Sequence, residues 1–269
     1  LPSLYKHIKS LVPNNWKYPL WYIFKSPQRK INPLSLLNDT YGIAIYLWYK
    51  AVHIQQQNLQ PITICTGIYN RSEFYVNNLI ASLNKAKYHH LIELSVFDCG
   101  STDIPNLEQH IRMHWKGKLT YHSTHIPFSR AVSFNKAVQQ ASTELLFICD
   151  ADMSVPENIV QLCNAYTAPK RIWYPIYFFV YKHKPAIVAP QNGEWELYGS
   201  KGMLALRKHD WNTIGGLNEK YTSWGDEDTE LWTRFHLQNF TIIRNKQEGF
   251  LHHWHDSFNP KYSHMNEQA

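Results

Sequence analysis

The run Leu145-Leu146-Phe147-Ile148-Cys149, closed at once by Asp150-Ala151-Asp152, constrains the fold of this chain more than any other stretch. So short an apolar run reads as a strand covered on both faces, as inside a parallel sheet. Similar pieces precede it. Ile62-Thr63-Ile64-Cys65-Thr66 reads as a strand, residues 73–86 as a helix capped by Ser72, and residues 91–97 as a second strand. Residues 119–123 form a weaker third strand. Residues 129–140 and 156–166 read as helices, the first carrying apolar Ala131, Val132, Phe134, Ala137 and Val138. Strands alternating with helices predict an α/β fold, a Rossmann-like, mostly parallel central sheet flanked by helices. Ligands of such sheets bind beyond the carboxyl ends of the strands. Three polar clusters fall at those ends, in residues 66–71, 98–103 and 150–152, and they predict one shared crevice. The second cluster is turn-rich and ends at Asp103, a candidate helix cap.

After Tyr166 the rhythm changes. Residues 172–190 are aromatic and β-like, and a Gly215-Gly216 turn follows. Residues 225–238 begin acidic and become helical, and residues 241–244 read as a strand before a histidine cluster. The predicted organisation is an N-terminal arm over residues 1–60, helical or irregular, and one domain over 61–269. That domain divides into a first half, 61–166, and a second half, 167–269. The arm is aromatic and basic, with Trp16, Tyr18, Trp21, Tyr22 and Phe24 among Lys6, Lys9, Lys17, Lys25, Arg29 and Lys30. It suits either packing on the domain or peripheral contact with lipid headgroups.

A chain of 269 residues can bury a sizeable core. Its net charge of +6 favours anionic partners. Nucleic acid is not expected among them, because the basic residues are scattered and no zinc-finger or RNA-recognition pattern occurs. The aromatic surplus, with 10 Trp and 17 Tyr, suits carbohydrate contact as well as it suits a core. Cys65, Cys99, Cys149 and Cys163 form no CxxC pair and read as buried free thiols, which fits a reducing compartment. The opening residues do not read as a secretory leader, and Leu1 reads as the edge of a trimmed chain. No apolar run reaches the roughly 18 residues of a membrane span. The expected location is the cytoplasm, with peripheral contact at the inner face of the plasma membrane.

Two acids at a strand end repel unless a cation lies near them. A hard divalent ion shared with a diphosphate is a natural partner for Asp150 and Asp152, Mn²⁺ or Mg²⁺. The alternative is a helix-capping turn. His253 and His255, two apart in Leu251-His252-His253-Trp254-His255-Asp256, would point the same way in an extended segment, and imidazole favours Mn²⁺. The alternative there is a plain histidine cluster. Trp224-Gly225-Asp226-Glu227-Asp228-Thr229-Glu230 places four acids beside a Trp-Gly turn. It reads as an acid-rich helix start or as the source of a general base.

Taken in order, these motifs resemble nucleotide-sugar glycosyltransferases of the GT-A fold. The chain is similar to the branch that holds the β-1,4-galactosyltransferases and the chondroitin-polymerase-type enzymes. The resemblance is carried by Thr66-Gly67-Ile68-Tyr69-Asn70-Arg71, Asp98-Cys99-Gly100-Ser101-Thr102-Asp103, Phe128-Ser129-Arg130-Ala131 with Asn135, Asp150-Ala151-Asp152, Gly215-Gly216 through Asp228, and His253-Trp254-His255. It implies an inverting, metal-dependent transfer of galactose or N-acetylgalactosamine from a UDP-sugar to an oligosaccharide or lipid-linked glycan acceptor. Capsule or lipopolysaccharide synthesis is the expected setting. Thr66, Tyr69 and Arg71 would lie by the uridine and Asp98 on the uracil or ribose. Arg130 would approach the phosphates, and Asp150 would sit on the ribose side. Asp152, His253 and His255 would hold Mn²⁺, though three neighbouring histidines leave the choice among His252, His253 and His255 open. Asp228 would be the base, Glu227 would hold the acceptor or donor sugar, and Trp224 would line the acceptor site. Cys99 stands where many relatives carry an acid. Asp226 stands where they carry glycine, so a different loop shape is expected there. The competing readings are a retaining transferase of the same fold, a non-catalytic carbohydrate-binding protein and a metal-dependent hydrolase.

Overall fold

The computed structural model describes residues 59–196, 201–222 and 225–256. The expected N-terminal arm, apart from its last two residues, and Trp224 lie outside them. The chain alternates as predicted at first. Strand β1 (Ile62–Ile68) leads into helix α1, which starts as Ser72–Phe74, widens into a π-helical stretch at Tyr75–Ile80 and closes as Ala81–Leu83. Then follow β2 (Ile92–Asp98), α2 (Leu107–His114), β3 (Lys118–Ser123), α3 (Arg130–Gln140) and β4 (Leu145–Ile148). Every residue of β1 and β4 is buried, which is why both sequences are nearly continuous apolar runs.

The second half mixes directions. It holds β5 (Met153–Ser154), α4 (Ile159–Tyr166), β6 (Arg171–Val180), β7 (Gly193–Trp195), β8 (Leu204–Arg207), α5 (Lys208–Ile214), α6 (Glu227–Leu237) and β9 (Thr241–His252). The sheet runs β3-β2-β1-β4-β8-β6-β9-β5, with β7 on β6. Pairs within β3-β2-β1-β4 are all parallel. Strand β8 is antiparallel to β4 and to β6, while β6 and β9 are parallel. The mostly parallel sheet is therefore a property of the first half.

Strand alternation sends side chains to opposite faces and builds two cores. Ile64, Leu145 and Phe147 pack with Tyr75 and Leu79 of α1, Ile111 of α2 and Ile159 of α4. Leu146 and Ile148 pack with Phe134 of α3, Trp211 of α5 and Leu231 and Phe235 of α6. All four cysteines are buried and unpaired. Among the described residues, no helix is long and apolar enough to cross a membrane.

This topology sets the carboxyl ends of β1, β2, β3 and β4 along one sheet edge. Antiparallel β8 brings Gly202 and Met203 to the same edge, because Leu204 pairs with Ile148.

Helix α6 also buries a titratable group. His236 packs against the Trp232 ring at 5.0 Å, and burial, reinforced by Lys201, pushes its imidazole from 6.5 down to about 4. The folded state then binds fewer protons than the unfolded state between those values. Stability from this group is complete above about pH 6.5 and is lost as pH falls toward 4, amounting to about 3 kcal/mol. Urea unfolding at pH 7 and pH 4.5 checks this: His236→Gln should lose less stability on acidification than the parent chain. An identical acid loss in both proteins would refute it.

Candidate functional site

The polar clusters at the strand ends are knitted to one another. Asn70, in the left-handed region at φ 49, accepts from the Thr102 amide at 2.7 Å and gives its own amide to Ser101 Oγ at 3.0 Å. Asp103 accepts from both the amide and the hydroxyl of Ser72, at 2.8 and 2.7 Å. It thus fixes the first residue of α1, not the helix that follows it in sequence. Asn106 caps α2 instead, accepting from the Gln109 amide. Helix α3 is capped by Ser129, whose hydroxyl accepts from Val132 N–H.

Several residues expected at a nucleotide have other work here. Thr66 is fully buried inside β1 and has no surface to offer a ligand. Asp98 is buried, and its carboxylate is committed: Oδ1 accepts from the Gly100 and Ser101 amides and the Ser101 hydroxyl, and Oδ2 from Tyr121 and Ser123. It shapes the loop that leaves β2. Tyr69 stays exposed and lies 6.2 Å from Phe128 with nearly parallel rings, a flat aromatic surface at the crevice rim.

The two acids after β4 meet different cations. Asp150 takes a two-pronged contact from Arg130, Nε to Oδ1 at 2.9 Å and Nη2 to Oδ2 at 3.2 Å. The same guanidinium donates to Glu227 Oε1 at 3.1 Å and to the Gly202 carbonyl at 2.7 Å. A Cβ on Gly202 would lie 2.9 Å from Asp150 Oδ2 and 3.0 Å from Arg130 Nη2, so any larger residue there makes the tips of both side chains give way. Burial works against the Arg130 charge, but Asp150, Glu227 and Asp228 outweigh it and raise its pKa. Arg130 therefore ties the turn after β4 to the first turn of α6 and to the approach to β8.

Asp152 faces the C-terminal histidines. Its Oδ2 lies 2.6 Å from Arg71 Nη1 and 3.0 Å from His255 Nε2, and its Oδ1 lies 3.8 Å from His252 Nε2. Burial would raise this carboxyl, yet His252, His255 and Arg71 hold it well below the usual carboxylate range. One donor atom each from Asp152, His252 and His255 lies within 4.8 Å of the others, a group able to hold a metal ion. His253, expected as a ligand, is turned away: its Nε2 is 2.6 Å from Ser154 Oγ. The pleat explains the exchange. β9 ends at His252, in register with Met153 of β5, and the His253 amide is tied to the Asp152 carbonyl at 3.1 Å. Residues 253–256 carry no strand alternation, so His255 returns to the side of His252.

The donor chemistry fits a divalent cation. Asp152 Oδ1 and His252 Nδ1 are buried without a hydrogen-bond partner. His255 Nδ1 is 3.0 Å from the Asp256 carbonyl, which leaves Nε2 as the ring nitrogen that faces Asp152 and Arg71. The His252 ring stacks on Tyr177 and Phe179 of β6, which fixes its plane. Tyr177 was not legible in the sequence. Burial pushes its hydroxyl up, and the negative charges of Glu196, Asp150, Asp152 and Asp228 push it further.

Helix α6 starts after Asp226, which takes φ 73, so an acid here adopts the left-handed backbone that glycine takes most easily. Glu227 is buried against Arg130, with Oε2 unpartnered. Asp228 is half-buried, and its Oδ1 accepts from the Thr229 amide and hydroxyl.

Residues 82–268 match the family model described as chondroitin N-acetylgalactosaminyltransferase. Human chondroitin sulfate N-acetylgalactosaminyltransferase 1 is 28% identical over 132 residues, 44% of this chain and 25% of that protein. Human β-1,4-galactosyltransferase 6 is 25% identical over 138 residues, 47% of this chain and 32% of that protein. The chain spans about a quarter of the length of such curated relatives. Among solved structures, mannosyltransferase PcManGT from Pyrobaculum calidifontis, in complex with GDP-Man and Mn²⁺, superposes with a TM-score of 0.55 at 15% identity. It covers 86% of this chain and 70% of its own. TarS 1–349 of S. aureus, in complex with UDP, gives 0.53 at 18%, over 72% and 61%. These likenesses establish the GT-A fold.

Replacing Arg130 by Gln leaves Asp150 and Glu227 without their shared cation. Removing one partner of a buried ion pair costs about 3 kcal/mol. Thermal unfolding should show Arg130→Gln melting several degrees lower, with Arg130→Met/Glu227→Gln recovering part of the loss. A melting point unchanged in Arg130→Gln would show that this guanidinium does not hold the two halves together.

Proposed function

The chain belongs to the chondroitin N-acetylgalactosaminyltransferase family, and from that premise we propose that it is an inverting glycosyltransferase acting on a UDP-sugar. The sugar moved is galactose or N-acetylgalactosamine, and the acceptor is a carbohydrate. The observation that carries this reading is the metal-capable group of Asp152, His252 and His255 beside Asp150, whose partner Arg130 also binds Glu227, the residue before Asp228. Relatives whose names specify N-acetylgalactosaminyl and galactosyl transfer, and fold neighbours solved with GDP-Man or UDP, support it.

Asp152, His252 and His255 would hold a divalent cation, and a mixed carboxylate and imidazole set suits Mn²⁺ better than Mg²⁺. When bound, such an ion offsets the charge left on a departing diphosphate. The remaining steps belong to the chain. Arg130 keeps Asp150 and Glu227 neutralised, so the first turn of α6 can stand beside the strand ends. Among the described residues, nothing engages Asp228 Oδ2. That oxygen takes the proton of the acceptor hydroxyl while the hydroxyl oxygen bonds to the anomeric carbon. The bond from that carbon to the phosphate oxygen breaks, and UDP leaves with the electron pair. Attack opposite the leaving group inverts the anomeric centre. The setting we propose is assembly of a surface glycan such as capsule or lipopolysaccharide, in the cytoplasm or on the inner membrane face; four buried, unpaired cysteines agree with a reducing compartment.

Asp228→Asn should lower turnover by about a hundredfold to ten-thousandfold while leaving UDP affinity within about twofold. UDP release with a panel of UDP-sugars gives the rate, calorimetry the affinity, and proton NMR of the product the anomer. Full turnover in the variant, or a product of retained configuration, would sink the assignment.

A further inference from the structure

We propose that Arg71 is a resident counter-cation of the Asp152–His252–His255 centre, which a divalent ion must displace and which a diphosphate then captures. The inference rests on the metal-binding reading above and deepens it. One nitrogen, Nη1, touches both Asp152 Oδ2 at 2.6 Å and His255 Nε2 at 2.8 Å. These are two of the three groups that could hold a metal.

The histidine makes the competition strict. A ring nitrogen of histidine offers at most one lone pair. Arg71 Nη1 lies 2.8 Å from His255 Nε2, the ring nitrogen that also faces Asp152 Oδ2, so Arg71 and a metal ion cannot both occupy that position. Charge points the same way, because a guanidinium nitrogen beside a divalent cation raises the energy of both. Without an ion, Arg71 serves the site: its guanidinium lies 2.6 Å from the buried Asp152 carboxylate and balances its charge.

Arg71 sits three residues past the end of β1, at the N-cap of α1. A side chain pivoting there stays within the crevice. Once displaced, its planar fork matches phosphate oxygens, and a nucleoside diphosphate gives it a new partner of higher charge. The two ligands therefore help each other. The ion drives Arg71 toward the diphosphate, and the diphosphate removes the ion's competitor. Such coupling is reciprocal and commonly amounts to a factor of about 5 to 150. Ser72, locked by Asp103, holds the backbone of the hinge still while the side chain moves.

Mn²⁺ binding, read by the loss of the free-ion electron paramagnetic resonance signal, tests this in the parent chain, Arg71→Met and Arg71→Gln, each with and without UDP. In the parent chain UDP should tighten Mn²⁺ by about tenfold or more. In both variants Mn²⁺ alone should bind about tenfold tighter than in the parent, and the tightening by UDP should largely vanish. Circular dichroism establishes that each variant is folded, and the Gln variant serves if the Met variant is not. If the variants bind Mn²⁺ alone no better than the parent and lose only UDP affinity, Arg71 is a plain phosphate contact and this proposal is overturned. If no protein binds Mn²⁺ even with UDP present, the metal-binding reading falls as well.

Discussion

The guanidinium of Arg130 joins segments that are distant in sequence: the turn after β4, the approach to β8 and the first turn of α6. A buried cation of this kind is stable only while its carboxylates stay in place, and they are tolerated beside one another only while it does. The contact therefore couples the parallel half of the sheet to the mixed half. It also decides where Asp228 stands, since that residue follows Glu227 on the same helical turn. Gly202 belongs to the same arrangement, because its carbonyl accepts from Arg130 and a Cβ there would crowd the tips of Arg130 and Asp150. Stability and the placement of the proposed base are one problem in this fold.

What could be read from the sequence was what is local. The runs that became β1 and β4 are apolar because both faces of those strands are covered, and the acids beyond β4 announce the strand end by themselves. The α3 and α6 stretches were legible for the same reason, each with a polar start and an apolar face. Pairings between remote segments were not. Nothing local tells that Asp103 caps a helix that precedes it in the chain, or that Asp98 spends its lone pairs on Tyr121 and Ser123 across a strand pair. The antiparallel insertion of β8 between β4 and β6 was equally silent. Asp226 shows a different limit: Asp tolerates the left-handed backbone well enough that a glycine rule overstates the difference.

The histidines show how one hydrogen bond can overrule a periodicity argument. Alternation would carry His253 and His255 to one face if the strand continued. It stops at His252, because the His253 amide is bound to the Asp152 carbonyl and β5 is only two residues long. The metal-capable set is consequently chosen by the strand end, and it falls on His252 and His255. The stacking of His252 on Tyr177 and Phe179 then fixes that ring where a free loop histidine would rotate.

The division of labour between Asp150 and Asp152 follows from these contacts. Two carboxylates one residue apart would repel if both faced the same space. Here each has its own cation, and the cations differ in kind. Arg130 is buried and held by a backbone carbonyl and a second carboxylate as well, so Asp150 is bound into the scaffold. Arg71 is more exposed and touches two of the three groups that could hold a metal ion. An anionic diphosphate entering the crevice thus finds one acid already neutralised by the fold and the other balanced by a charge that can be exchanged. That asymmetry lets a strand end crowded with acids receive a phosphate ligand without first changing the protonation of either carboxylate.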